Sequence, residues 1–401
     1  MKHFISAILI TANLLLSACG SSKSVVDPVQ SKIKEMVDTK FTAFKTANQL
    51  PPSAGVLVYL LTPQGTWTAS SNLPEDVGAN THYRIASVTK TFTSAAIMLL
   101  DQQGKLRIDD PVKANIPGTS IPYLPDTPEY QIPFKAKITI RQLLSHRAGV
   151  FDVTNDKIPV GMGVPYNNRY YLDYVETTKG DTLHQYTFDE LVGVAAITRQ
   201  TYWAPNGGYH YSNTGYSLLA KIIERVSGKS YDRFLADNFF RPMGLKNTSA
   251  PWRSIDRSIP APFLRGYSRQ EASEAFIEKT QDNMSPNVAE GNLISTPADA
   301  ARWMRMILSG KGPLNKAQIA RMTTIPPGNE SNAYALGFVS TSTMGIGHTG
   351  AHPGYLNLVV YNPQDDVTAV VLLNYTDLSD PGKPMLMMGQ IVSEAKKIAG
   401  Y

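Results

Sequence analysis

Three short segments, in this order along the chain, hold the residue types that acyl transfer through a serine ester needs. Ser87-Val88-Thr89-Lys90 offers a hydroxyl with an amine three residues on, Tyr211-Ser212-Asn213 a phenol and an amide, and His348-Thr349-Gly350 an imidazole, a second hydroxyl and a glycine. A serine hydroxyl is a weak nucleophile at neutral pH, so a neighbour must take its proton during attack and return one to the leaving group. Lys90 can do this only if burial or a nearby cation lowers its pKa, and Tyr211 only if a cation lowers its own. Charge building on the attacked carbonyl needs fixed N–H donors.

Taken singly, two of the three signals are common. Ser-x-x-Lys recurs at Ser31 to Lys34 and Ser393 to Lys396, and Tyr-x-Asn at Tyr166 to Asn168 and Tyr355 to Asn357, whereas His-Thr-Gly has no second copy. Context separates the copies. Ser87 stands where an extended run, Tyr83 to Ala86, gives way to a helical pattern in which Val88, Phe92, Ala95, Ala96, Leu99 and Leu100 recur at three- and four-residue spacing, with Gly104 as the stop. Ser87 therefore opens a helix, and Lys90 lies one turn on, on the same face. The free N–H groups and positive dipole end of that helix suit a developing oxyanion. Ser31 falls in a polar stretch near the N-terminus and Ser393 on a solvated terminal helix, so both read as surface.

The chain resembles the serine penicillin-recognising enzymes, in the branch of class C β-lactamases, D-Ala-D-Ala carboxypeptidases, D-aminopeptidases and related esterases. The likeness is carried by Tyr83 to Val112, by Leu143 to Gly149 (LLSHRAG, with Ala148 for the usual serine), by Tyr211 to Leu245, by Gly291 to Ala300 and by Gly347 to Asn374. It spans residues 55 to 376, with a variable stretch at 151 to 204. The resemblance implies Ser87, Lys90, Tyr211 and His348 as catalytic residues and Asn213, Thr349, Gly350 and Ala351 as substrate-binding ones. Proton duty would be shared between Lys90 and Tyr211. The backbone N–H groups of Ser87 and Ala351 would form the oxyanion site, Asn213 would bond the substrate's amide side, Thr349 would touch a carboxylate or carbonyl, and Gly350 would allow close approach. No cofactor or metal is implied.

Histidine at position 348, where lysine is commoner in the family, tilts the resemblance toward D-peptidases. Two departures pull the other way: no basic residue lies between Asn332 and Gly347, and position 351 is alanine, so the usual holders of a terminal carboxylate are missing.

Composition fits a large enzyme. The 401 residues are 42% hydrophobic, ample for a sizeable core. The net charge of +5 comes from 38 basic and 33 acidic residues spread without a Lys/Arg run, which argues against nucleic acid as a partner. Lys2, the apolar run Phe4 to Leu16 and then Leu16-Ser17-Ala18-Cys19 look like a bacterial lipoprotein signal with its cleavage box. On that expectation residues 1–18 are a signal peptide, the sole cysteine, Cys19, carries lipid, and residues 19–32 are a polar tether. Removing Lys2 with the signal leaves a net charge of +4 (37 minus 33). The expected location is periplasm-facing, at the outer membrane if the host is Gram-negative.

The elements that must position the three segments can be sketched. A helix over Ile33 to Asn48 is followed by strands at Gly55 to Thr62 and Thr66 to Ser70, and the far end mirrors this with strands at Leu336 to Ser340, Tyr355 to Tyr361 and Val367 to Asn374 and a helix at Met385 to Ile398. Strands at both ends and a helical middle predict an α/β protein of α+β type. Its antiparallel sheet of N- and C-terminal strands is flanked by helices, and residues 33–401 form one catalytic unit with an inserted, mainly helical subdomain over about 100–290. The site should lie in the cleft between the two.

Other residues have simpler explanations. His348 and His352 are four apart, but Gly350 and Pro353 forbid a helix there, which speaks against a metal site. His146 reads as a structural hydrogen-bonding residue, and the tyrosines at 166, 170, 171, 174, 186 and 202 as loop packing or as walls of an acyl-side pocket. The function expected is a serine hydrolase of the D-Ala-D-Ala carboxypeptidase or D-peptidase kind, taking small peptides. An esterase or β-lactamase with the same machinery, or a penicillin sensor without turnover, are the alternatives.

Overall fold

The computed structural model describes residues 27–401 apart from positions 342 and 381. The expected signal peptide and Cys19 lie outside the described residues. The first helix, α1 (Pro28–Ala47), begins inside the segment read as tether. Asp27 caps it by accepting the Val29 N–H at 2.8 Å, and Pro28 supplies a preset first turn.

A six-stranded antiparallel sheet forms the frame: β1 (Val56–Leu61), β2 (Thr66–Ser71), β3 (Val339–Thr341), β4 (Gly345–His352), β5 (Tyr355–Asn362) and β6 (Val367–Leu373), in the spatial order β2-β1-β6-β5-β4-β3. The register sets Val56 opposite Leu373 and Val371 opposite both Val58 and Leu358, so the two ends of the chain meet in the middle of the sheet. Alternate residues go to opposite faces, as strand geometry requires. Val56, Val58, Leu60, Leu358, Val360, Ala369 and Val371 pack under α1 and the terminal helix α5 (Gly382–Ile398). Leu57, Tyr59, Val359, Tyr361, Val370 and Leu372 face the other way, toward α4 (Pro297–Leu308) and the core of the middle region.

That second core runs without a break from the sheet into the middle of the chain. Its centre is α2 (Thr89–Gln102), whose residues from Thr89 to Leu100 are all buried. A helix buried on every side is surrounded by other elements, and Phe92 stacks on Trp303 of α4 with ring centroids 3.7 Å apart. The middle is less helical than its sequence pattern predicts. Between Gln103 and Thr139 the chain is irregular apart from one 3₁₀ turn at Pro128–Tyr130, and α3 (Asn213–Ser227) is the main helix packed on α2. Proline and glycine are frequent in that irregular stretch, and its apolar residues are pinned singly by backbone bonds such as Tyr123 N–H to Ala114.

Candidate active site

Ser87 is raised out of the core by the way α2 begins. The short strand pair Tyr83–Arg84 with Ile294–Ser295 ends in Ala86, which holds a left-handed φ of +49° without being glycine. A 3₁₀ turn, Ala86–Val88, then feeds α2. Strain of this kind persists only where the surroundings over-determine it. Its result is specific: from Thr81 to Leu100 every residue is buried except Ser87.

Beneath Ser87 lies a fully buried cation. The Lys90 ammonium is 3.3 Å from Ser87 Oγ and donates to Asn213 Oδ1 at 2.8 Å, to the Glu290 carbonyl at 2.9 Å and to Glu290 Oε2 at 3.1 Å. Burial holds Lys90 below the ordinary lysine pKa, and the negative charges of Glu290 and Asp152 oppose that shift. Tyr211 closes the other side, with Lys90 Nζ 4.7 Å from its ring centroid. Burial pushes the Tyr211 phenol well above its usual pKa, and its hydrogen bond with Ser87 pulls only part of the way back. Desolvation thus dominates the phenol.

The Tyr-Ser-Asn segment is held by Ser212 itself, by His146 of the LLSHRAG segment and by Asp152. Ser212 caps α3 through the Gly215 N–H, the Ser212 N–H donates to His146 Nδ1 at 3.1 Å, and the Asn213 N–H donates to Asp152 Oδ2 at 3.0 Å. His146 therefore bonds the segment next to Tyr211, and its ring lies 4.2 Å from that of Tyr211. Asn213 has a task beyond the expected one. Its carbonyl oxygen accepts from Lys90 and its amide donates one N–H to Thr154 Oγ1 at 2.9 Å, so it also fixes the lysine.

Strand β4 supplies the opposite wall. It pairs with β5 along its length but with β3 only from Gly345 to Gly347, which leaves the edge from His348 onward beside the Ser87 turn. Thr349 is half-buried and Ala351 exposed along that edge. Gly350 is where the strand and the turn come closest: a Cβ there would sit 2.2 Å from the Ile85 carbonyl oxygen and 2.5 Å from Asn357 Nδ2. Gly350→Ala is therefore expected to push β4 off the Ser87 turn and lower kcat/KM by about 100-fold while the sheet still forms, which steady-state kinetics with a circular dichroism control would check.

His348 is buried, with Nδ1 2.5 Å from the Thr349 carbonyl oxygen and Nε2 3.1 Å from the Tyr334 hydroxyl. Burial pushes its pKa down to about 4, with the nearby Lys90 charge adding to the effect. At neutral pH it is an uncharged ring and no substitute for the family's lysine. Acidification tests this. Between the ordinary value of 6.5 and about 4 the unfolded chain binds a proton that the folded chain does not, so stability falls as pH drops through that window, by about 3 kcal/mol at its lower end. Urea melts at pH 7 and pH ~4.5 should differ less in His348→Gln than in the parent.

Glu290, Asp152, Thr154 and Tyr334 are site residues that the motif search did not find. One signal was available for Glu290: a lysine on a helix whose apolar spacing buries it calls for an acidic partner inside the fold. The tyrosines of the variable stretch mostly pack on one another, with Tyr166 and Tyr171 rings 4.9 Å apart, and Tyr202 stacks on His210 at 3.5 Å. A cavity of about 280 Å³ walled by Tyr186, Phe188, Tyr231, Trp252 and Val288 does not include Ser87.

The family model described as Beta-lactamase matches residues 54–387. The chain belongs to the beta-lactamase family. Among curated relatives, the protein flp of Staphylococcus aureus is 27% identical over 300 residues, 73% of this chain and 53% of that protein. Penicillin-binding protein 4* of Bacillus subtilis is 26% identical over 307 residues, 74% of this chain and 61% of that protein. The chain thus spans little more than half the length of these relatives. Among solved structures, a D-stereospecific amidohydrolase from Streptomyces superposes with a TM-score of 0.72 at 22% identity, over 93% of this chain and 99% of that one. The D-amino acid amidase of Ochrobactrum anthropi gives 0.71 at 21% identity, over 93% and 100%. These likenesses fix the fold as that of the β-lactamase and transpeptidase group.

Proposed function

We propose that the protein is a serine hydrolase that acylates Ser87 and acts on amide bonds of D-configured substrates, peptides of the D-Ala-D-Ala type included. The observation that carries this is the lone half-buried hydroxyl of Ser87 above a buried lysine at 3.3 Å. Attack passes the hydroxyl proton toward Lys90, directly or through Tyr211. The carbonyl oxygen settles toward the start of α2 and the open edge of β4, the leaving group takes the proton back, and water then repeats the sequence on the ester. The D-configured substrates named for the amidohydrolase and the amidase, and the penicillin-binding name of the Bacillus relative, support this substrate class.

A second reading keeps the machinery and changes the acyl donor to an ester or a β-lactam. The lack of a basic residue from Asn332 to Gly347 and the alanine at position 351 favour it, because these are the places from which relatives hold a terminal carboxylate. Labelled penicillin and a panel of a D-Ala-D-Ala peptide, a D-amino acid amide, a cephalosporin and a short-chain ester separate these readings. Lasting label with D-amino acid release supports the peptidase, brief label with loss of the antibiotic supports the lactamase, and label without any turnover supports a sensor. Absence of both labelling and Ser87-dependent hydrolysis would sink the proposal. The lipoprotein-like segment ending at Cys19 supports a membrane-anchored enzyme, and Cys19→Ser should then move it to the soluble fraction.

A further inference from the structure

Tyr334 belongs to no motif, yet it is more firmly fixed than most residues at the site. It is buried in a turn between Ala333, at φ +51°, and Gly337, at φ +79°. Asn329, itself fully buried, donates to the carbonyls of Tyr334 at 3.0 Å and Ser145 at 2.9 Å, which ties this turn to the His146 segment. The side chain of Ser94 on α2 occupies the place a Cβ on Gly337 would need. The turn is thus built against the nucleophile helix, and it aims the Tyr334 hydroxyl at His348.

Counting protons then settles the imidazole. The Thr349 carbonyl can only accept, so Nδ1 of His348 carries the hydrogen at 2.5 Å. In an uncharged ring Nε2 is then an acceptor, and the group facing it at 3.1 Å is the Tyr334 O–H. The other titratable groups around the ring are Lys90, Tyr211 and His146. Both nitrogens are occupied, and neither is left to bind a substrate anion. The cation nearest the ring is already committed: Lys90 is paired with Glu290, and Asp152 adds a second acid behind Asn213. Farther along, Arg84 donates to the carbonyls of Arg257 and Thr280, and His352 faces Asp282 at 3.2 Å.

We infer that Tyr334 is a positioning residue that locks His348 as the uncharged Nδ1–H tautomer, and that the crevice beside Thr349 therefore prefers substrates whose leaving group is uncharged, primary amides and esters, over peptides ending in a free carboxylate. This rests on the serine hydrolase reading above for its substrate half alone.

Two measurements test it. The first is ¹⁵N NMR of the histidine rings near neutral pH, which needs no activity. His348 should show an unprotonated Nε2 in the parent, and Tyr334→Phe should lose that single tautomer. The second compares kcat/KM on one acyl D-dipeptide as the free acid and as its C-terminal amide. The parent should favour the amide by about tenfold or more, and Tyr334→Phe should narrow the ratio by about threefold or more. A protonated Nε2 in the parent, a parent preference for the free acid, or a ratio unchanged in a folded Tyr334→Phe protein would each overturn the inference. A protein that hydrolyses neither substrate while His348 shows the stated tautomer would instead count against the hydrolase reading and leave the tautomer assignment standing.

Discussion

Ser87→Ala is expected to remove turnover on every substrate the parent hydrolyses, by at least about 10⁴-fold in kcat, and to leave the fold unchanged. The side chain is half-buried at a strained turn and gives up no packing when shortened to alanine, whose methyl matches the serine Cβ. Kinetics on the most active substrate, a thermal melt and mass spectrometry of the acylated protein check the three parts together. The parent should gain the mass of one acyl group on Ser87 when given a slow substrate or a β-lactam, and the variant should gain none. Hydrolysis retained in a variant of confirmed sequence would remove the hydroxyl from the mechanism altogether.

The second large effect is expected at Glu290. Its carboxylate and the Lys90 ammonium face each other at 3.1 Å with side chains 4% and 0% exposed. Such a pair gives little net stability compared with an apolar one, but breaking it from one side leaves a buried charge alone, at a cost of about 3 kcal/mol or more. In Glu290→Gln the lysine loses the acid that opposes its desolvation, so its pKa falls further and more of it is neutral at pH 7. The acidic limb of the pH–rate profile should therefore move to lower pH. Because the anchored ammonium also loses one of its bonds, kcat should drop about 100-fold even on the plateau. Melting curves and pH–rate profiles of the parent and variant decide this, and an acidic limb moving upward would contradict the assignment of Lys90 as the base.

Much of this site was legible in the sequence for local reasons. Ser87 and Lys90 share one helical turn, Ser212 and Asn213 are a cap and a first helical residue, and each of these is a short-range pattern. The sheet of chain ends was legible from the short apolar runs of β1, β5 and β6, rich in valine, leucine and tyrosine. Strand β4 was harder, because Gly345, Gly347 and Gly350 give it poor strand propensity. What places it is the fit of bare backbone against Val359, Tyr361 and Ile85. Glu290 and Tyr334 could not be placed, since they reach Lys90 and His348 through the fold, and a lone acid or phenol carries no local signature. The mainly helical character expected over about 100–290 does not hold at 103–139, where proline and glycine interrupt the apolar spacing. The start of α1 was missed although Asp27-Pro28 is itself a cap and first-turn signal.

The joining of β1 to β6 has a consequence for how the protein comes into being. Strand Val56–Leu61 leaves the ribosome long before its neighbour, Val367–Leu373, and must wait for it. A nascent chain stopped before Val367 already contains the nucleophile and its lysine, but the wall that carries Thr349 has no frame to hang on. Such long-range pairing slows assembly and leaves apolar edges waiting for partners. Catalytic competence should thus arrive in one late step, and truncation from the carboxyl end should silence the enzyme well before it erases α2.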